Sequence, residues 1–186
     1  REPLPTAEPT SLPEENGVMM TNVLVGQGWD KSLLEAGVPQ DISSTVLANV
    51  DGSENRAFLT ALCWQETRYN NKAIRAKSGD DGGRSKGPWQ LHDRWAKVTA
   101  AHARRTGNTT DADVIMAGIS EDLSLNLAGV RALIRVQQPW RGDGGFHDIA
   151  SYYNEGSSWR EPKGQLYADK VMDKYSELLP IFEAQY

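Results

Sequence analysis

The chain has 186 residues, of which 39% are hydrophobic and 24% charged, the balance of one globular domain with a tail. Its formal net charge of -5 argues against a nucleic-acid partner, because a nucleic-acid groove needs a concentrated basic face. A single cysteine, Cys63, excludes an internal disulfide, and the lack of a run of about 18 apolar residues predicts no transmembrane segment.

Residues 1–17 are predicted to form a flexible tail or linker in front of the domain. Prolines stand at positions 3, 5, 9 and 13, and the stretch has little apolar content and no aromatic residue. The domain is therefore expected to start near Val18 and to cover residues 18–186.

Within this domain the apolar spacing is mainly helical. Ser53 is expected to cap a helix over about Glu54 to Thr67, with Phe58 and Leu62 on its apolar stripe. Between Lys77 and Gln90 glycine and charge replace the pattern, which indicates a loop or short hairpin. Four further helices are predicted, namely Arg94 to Arg105 stopped by Gly107, Asp111 to Gly118, Ser120 to Pro139, and Gln165 to Leu179 before Pro180.

A carboxylate stands at the end of the first of these helices. Glu66 follows Leu62 by four residues, so its side chain is expected to point toward the core. Burial makes a carboxylate costly to ionise, which would raise its pKa and let it hold a proton near neutral pH, as a general acid must. The alternative is a glutamate that bends out to water.

The residues after Glu66 resemble the signature of lytic transglycosylases. In that signature a helix-ending Glu-Ser is followed by an Asn, an Ala and a Gly-Leu-Met-Gln strand. Here Thr67 replaces the Ser, and Gly87 and Gln90 keep the ends of the strand motif while Pro88-Trp89 replace its centre. A glycine lets the backbone approach a sugar, and a glutamine amide both donates and accepts hydrogen bonds.

Three more stretches resemble the same family and occur in its order, so that the resemblance covers about residues 54 to 176. Asn126-Leu127 with Gly129 resembles the Asn-Ile-x-x-Gly helix that packs behind the family's cleft. Residues 150–156 resemble its Ala-Ala-Tyr-Asn-Ala-Gly motif, and the segment from Tyr167 to Tyr175 resembles the helix that closes its fold. The chain is therefore similar to lytic transglycosylases and goose-type lysozymes.

This resemblance implies a mainly helical, lysozyme-like α+β domain with a small β-hairpin around Gly82 to Leu91. The cleft would run between the end of the Glu66 helix, the hairpin and a loop that carries Tyr153. The implied function is cleavage of the MurNAc-β-1,4-GlcNAc bond of peptidoglycan, with Glu66 as the catalytic acid. The substrate-binding candidates are Trp89, Gln90, Tyr153, Asn154 and Tyr167. Tyr153 would place its hydroxyl near the catalytic carboxyl, and Trp89 is either a flat platform for a sugar or a core residue.

Two reactions remain open. Goose-type lysozymes carry a Gly-Asp-x-Gly loop whose aspartate helps to position the attacking water, and residues 79–82 resemble it, although the loop here is two residues longer. Asp80 and Asp81 are therefore catalytic candidates for hydrolysis, and Asp93 is a weaker one. Transglycosylases do without the second carboxylate and form a 1,6-anhydro ring, in which case Asp80-Asp81 would form a turn. The two aspartates favour hydrolysis slightly.

Three other classes of function are compared with this interpretation. A thiol peptidase based on Cys63 is disfavoured, because the residue lies in the middle of an apolar stripe, where a cysteine is normally a small buried hydrophobe. A chitinase is an alternative, since Gly87 to Leu91 also resembles the Gly-Pro-Ile-Gln-Leu segment of plant-type chitinases. The second alternative is a non-catalytic module that binds glycan or has a structural role in a secretion system or phage tail.

No cofactor and no metal are needed for this chemistry, and the three histidines lack a zinc-binding spacing. The expected partner is the peptidoglycan glycan strand, which implies the bacterial periplasm, the cell surface, the extracellular space or a phage virion. The sequence begins with Arg1 and shows no apolar signal core, so we expect either that a leader has been removed or that the piece was cut from something longer. The sequence identifies no protein inhibitor and no secretion or phage-assembly partner.

Overall fold

The computed structural model describes residues 29–70, 85–141 and 144–184. Its elements are α1 (Trp29–Glu35), α2 (Gln40–Asn49), α3 (Ser53–Thr67), β1 (Ser85–Lys86), β2 (Leu91–His92), α4 (Asp93–Arg105), α5 (Thr109–Ala117), α6 (Leu123–Arg141), α7 (Phe146–Glu155) and α8 (Pro162–Glu183). Over these ranges the chain is mainly helical with one small antiparallel sheet, which confirms the fold class at that level. The tail predicted over residues 1–17 lies outside the described residues.

Helix α3 is the central element. It is buried at every position from Ala57 to Cys63, the pattern of a helix that is surrounded by protein. Its longest partner is α8, which packs along both α3 and α7. The core between them includes the fully buried Leu62, Leu178 and Phe182, and burying one such side chain contributes roughly 1.5–3 kcal/mol.

Helices α4, α5 and α6 form a second group, in which α5 and α6 touch backbone to backbone. A Cβ atom on Gly118 would lie 2.5 Å from the Cα atom of Gly129, and a Cβ atom on Gly129 would lie 2.5 Å from the Cα atom of Gly118. No side chain can fit between the helices here, so the crossing requires glycine on both sides.

The sheet is a short hairpin whose strands pair Ser85 with His92 and Lys86 with Leu91. Its turn is closed by a hydrogen bond from the backbone N–H of Gln90 to the Gly87 carbonyl oxygen at 3.0 Å. The hairpin predicted around Gly82 to Leu91 is confirmed from Ser85 onward. It leads directly into α4 and therefore joins α3 to the second helix group.

Two predicted helix starts need correction. Ser53 is not the cap of α3, because the N-cap position is Gly52, which has no side chain to accept a hydrogen bond. Helix α6 begins at Leu123 rather than at Ser120, since the carboxylate of Asp122 accepts the Leu125 N–H at 2.9 Å and thereby caps the first turn.

The two prolines that were expected to end helices lie inside them. Pro139 belongs to α6 and Pro180 to α8. Each stands two or three residues before its helix ends, so the single hydrogen bond that proline removes is lost at the margin of the helix. Among the described helices none is both long and apolar enough to cross a membrane.

Candidate active site

Glu66 lies in the last turn of α3, on the same stripe as Phe58 and Leu62. Those two side chains are buried, whereas Glu66 is half-buried, so its carboxyl stands at the margin of the core. The hydroxyl group of Tyr167, on the neighbouring helix α8, donates a hydrogen bond to Glu66 Oε1. A tyrosine that is itself 9% exposed therefore holds the carboxyl in place.

The chain leaves α3 abruptly after this carboxyl. Arg68 and Tyr69 both adopt left-handed backbone conformations, with φ of 55° and 65°, which a side chain other than glycine's enters at some cost. The Arg68 side chain offsets this cost locally, because its guanidinium lies 3.6 Å from the centre of the Trp64 ring and donates to the Trp64 carbonyl oxygen at 2.8 Å.

The hairpin turn is tied to α3 and α7 by two hydroxyl groups. Thr67 Oγ1 donates to the Pro88 carbonyl oxygen at 2.9 Å, and Tyr153 Oη donates to the Trp89 carbonyl oxygen at 2.6 Å. Thr67 directly follows Glu66, so this contact fixes the turn beside the carboxyl. The Thr67 hydroxyl thus has a structural use.

The same turn is held from behind by Asn126 of α6, which is fully buried. Its side-chain oxygen accepts the Trp89 N–H at 3.2 Å, and its nitrogen donates to the carbonyl oxygens of Lys86 at 3.0 Å and Gly118 at 2.9 Å. Gly87 packs so closely on it that a Cβ atom would lie 2.3 Å from Asn126 Cγ. The helix expected behind the cleft therefore forms hydrogen bonds to the hairpin through this amide.

Trp89 has no exposed surface at all, and its indole nitrogen donates to the Leu59 carbonyl oxygen at 2.8 Å. The prediction that its ring face serves a sugar is corrected in favour of the core alternative, because no ring atom reaches the surface. Gln90 is 5% exposed and its amide nitrogen donates to the Gly87 carbonyl oxygen at 2.8 Å. Its φ of 51° matches the tight turn, which the Gln90 backbone N–H closes on the same carbonyl oxygen at 3.0 Å.

Tyr153 lies on the last turns of α7, not on a loop as predicted. Burial raises the pKa of its hydroxyl well above the usual 10, and the negative charge of Glu66 raises it further, so the hydroxyl stays protonated and acts as a donor. Asn154, the next residue, is half-buried and donates to Glu155 Oε1 at 2.7 Å. Glu155 in turn forms an ion pair with Lys163 at 2.8 Å.

The other acidic candidates for catalysis are Asp80, Asp81 and Asp93. Asp80 and Asp81 lie outside the described residues, so their predicted role stays a prediction. Asp93 begins α4 and pairs with Lys97 at 2.8 Å, which gives it a structural use at a helix N-terminus.

The thiol of Cys63 does not form a nucleophilic site. Its side chain is fully buried, and burial raises the pKa of the thiol well above its usual 9. A reactive cysteine needs the opposite shift. Over the described ranges, moreover, no three His, Cys, Asp or Glu side chains come close enough to hold a metal ion.

Sequence reasoning missed Trp95, which lies beside the turn. It lines a small cavity of about 30 Å³ to which the hairpin, α4, α6 and α7 all contribute, with the lining residues Gln90, Leu91, His92, Trp95, Leu133, Gln137, Tyr152 and Tyr153. The available signal was a histidine and a tryptophan three residues apart, immediately after the Gly87 to Leu91 motif.

The described arrangement offers one half-buried carboxyl, a tyrosine that orients it, and a rigid turn whose backbone is fixed from three sides. Such a carboxyl can give or take a proton at a bound substrate. No protein-family model matches the chain, and neither a curated protein nor a solved structure matches it. The functional conclusion therefore depends on the motifs and on this geometry.

Proposed function

We propose that this chain is a lysozyme-like glycosidase that cleaves the MurNAc-β-1,4-GlcNAc bond of peptidoglycan, with Glu66 as its general acid. The observation that carries the proposal is the Glu66 carboxyl at the margin of the core, bound by Tyr167 and placed beside a turn that Thr67 attaches to the same helix end. Residues of four family-like motifs contribute to this place or to its support, and two of them, Glu66 and Tyr167, are 101 residues apart in the chain.

The chemistry requires an acid in a fixed position. Cleavage of a glycosidic bond needs protonation of the leaving oxygen as positive charge develops at the anomeric carbon. A carboxyl that is already oriented by a neighbouring hydroxyl loses little freedom when the substrate binds, which favours the transfer. Tyr167 is a positioning residue in this scheme, because it touches the acid rather than the sugar.

The second step decides which product forms. If water attacks the anomeric carbon, Glu66 accepts a proton from that water and the product has a free reducing end. If the MurNAc 6-hydroxyl attacks instead, Glu66 accepts the hydroxyl proton and a 1,6-anhydro ring closes. Asp80 and Asp81 are proposed to act only in the first route, where they would help to position the water.

The test is mass spectrometry of the soluble muropeptides released from purified peptidoglycan. Glu66→Gln keeps the shape of the side chain and removes the acid, so we expect release to fall to background while the protein stays folded. Glu54→Gln is the matched control, because Glu54 is an exposed residue of the same helix, about 18 Å away along its axis. Substantial release by the Glu66 variant would refute the proposal.

The same measurement separates the two reactions and the competing functions. Products lighter by one water carry the 1,6-anhydro end and identify a transglycosylase, whereas free reducing ends identify a lysozyme. Release from chitin but not from peptidoglycan would favour the chitinase alternative. Binding of peptidoglycan without any product would favour a non-catalytic module. Because the substrate is cell-wall material, the proposed location is the periplasm, the cell surface, the extracellular space or a phage virion.

A further inference from the structure

An exposed tryptophan stands at the edge of the candidate site. Trp95 lies in the first turn of α4 and is 36% exposed, although it is one of the largest apolar side chains in the protein. Its ring lies against Gly156 at the end of α7, so closely that a Cβ atom there would be 2.6 Å from Trp95 Cζ2. The indole is thus held on one side by backbone, while part of its surface stays open to solvent.

The surroundings of this ring combine apolar surface with hydrogen-bonding groups. The cavity that it lines is shared with Gln90, His92, Tyr152 and Tyr153. His92 Nδ1 accepts the Arg94 N–H at 3.1 Å, so the neutral imidazole carries its proton on Nε2 and is a donor there. The cavity itself holds only about 30 Å³, so a sugar would lie outside it, on the exposed part of the Trp95 ring. A pyranose has an apolar C–H face that suits an indole and a rim of hydroxyls that suits neighbouring polar groups.

Tyr153 connects Trp95 to the candidate acid. Tyr153 lines the same cavity as Trp95, its hydroxyl donates to the Trp89 carbonyl oxygen in the turn, and the charge of Glu66 acts on that hydroxyl. Trp95 is therefore linked to the Glu66 site through Tyr153 and the turn that it binds.

We propose that Trp95 is the stacking platform of a glycan subsite next to the Glu66 site and that it takes the apolar face of a GlcNAc or MurNAc ring. This inference rests on the proposed glycosidase function. The stacked ring is fixed by Gly156 before substrate arrives, so little side-chain freedom is lost on binding. Trp95 thereby takes the role that the buried Trp89 cannot fill.

The chain offers a matched control in Trp140. Its side chain is 37% exposed, and it packs edge-on against His102 with ring centres 4.6 Å apart. His102 lies seven residues after Trp95 on α4, or about 10 Å along the helix axis. Trp140→Ala therefore removes the same amount of exposed indole from a place away from the cavity.

The experiment compares Trp95→Ala, Trp95→Phe and Trp140→Ala by steady-state kinetics on solubilised glycan strands. Each substitution is also combined with Glu66→Gln, and the affinity of the resulting protein for the same strands is measured in the absence of cleavage. We expect Trp95→Ala to raise KM and Kd about tenfold, which corresponds to ~1.4 kcal/mol, while kcat changes less than twofold. Trp95→Phe should retain most of the affinity, since it keeps an aromatic face, and Trp140→Ala should behave as the unchanged protein.

Two failures can be told apart. If the unchanged protein cleaves glycan strands but Trp95→Ala binds as tightly as Trp140→Ala, the subsite is refuted and the glycosidase function stands. If the unchanged protein neither cleaves nor binds peptidoglycan, both are refuted. A fall in kcat alone for Trp95→Ala would also contradict the platform, because it would place the residue in the chemistry rather than in binding.

Discussion

Replacing Asn126 by alanine tests whether one amide holds the hairpin beside the catalytic helix. The substitution removes one acceptor and two donor bonds, and it leaves the Trp89 N–H and the Lys86 and Gly118 carbonyl oxygens without this partner. Each bond contributes about 1 kcal/mol net, and a buried group left without any partner costs ~1–3 kcal/mol. We therefore expect the free energy of unfolding to fall by about 3 kcal/mol.

Urea denaturation followed by circular dichroism measures this loss directly. For a chain of this size a 3 kcal/mol loss lowers the Tm by roughly 6–12 °C, which a native stability of ~5–15 kcal/mol can tolerate. Asn55→Ala is the control, because its amide makes one exposed bond to the Asp51 carbonyl oxygen at 3.1 Å and should cost under about 0.5 kcal/mol.

Asn126→Asp sharpens the test. It keeps the acceptor for the Trp89 N–H but turns a carboxylate oxygen toward two carbonyl oxygens, so it should destabilise the fold at least as much as alanine does. If Asn126→Ala cost less than about 1 kcal/mol, or no more than Asn55→Ala, the hairpin would not depend on this amide and the account of the site's support would be wrong.

Two further substitutions probe the tyrosines. Tyr167→Phe should lower kcat about tenfold, which corresponds to ~1.4 kcal/mol in the barrier, and should leave KM nearly unchanged. The control Tyr175→Phe, on the same helix, should leave both constants as they are. Equal effects of the two substitutions would contradict a positioning role for Tyr167. Tyr153→Phe should lower the Tm at pH 7, because the Trp89 carbonyl oxygen loses its donor. The folded-state pKa of Tyr153 lies above its usual 10, so the stability that its protonated hydroxyl contributes is complete below pH 10 and is lost as the pH rises further. The Tm difference between the two proteins should therefore shrink between pH 10 and 11, and a difference that grew there would refute the sign of the shift.

Helices α3 and α4 could be predicted from the sequence to within a few residues. Helix α7 was missed although Phe146, Ile149 and Tyr153 have helical spacing, because it is only 10 residues long and stands between glycines. The helix ends predicted at Pro139 and Pro180 were too early, because a proline removes only one helical hydrogen bond and each helix continues for two or three residues beyond it.

In the candidate site, too, single residues could be predicted from local motifs, whereas contacts between distant parts of the chain could not. Glu66 and Tyr167 could be named from motifs, but the bond between them joins positions 101 residues apart and follows only from the packing of α3 on α8. The motif could not decide whether Trp89 is a core residue or a platform for a sugar, because tryptophan is suited to both roles. Trp95 was missed because the spacing of His92 and Trp95 after the motif does not show which side chains lie beside them in the fold.

The contact between Gly118 and Gly129 has a consequence for how this protein can change over evolutionary time. A mutation that adds even one methyl group at either position meets the backbone of the opposite helix, at 2.5 Å, and no substitution at the opposite position can relieve it, because that residue is already the smallest. The two sites therefore cannot compensate for each other, and natural selection must preserve both together. Divergent descendants that keep this helix crossing should retain the glycine pair long after their surface residues have been replaced.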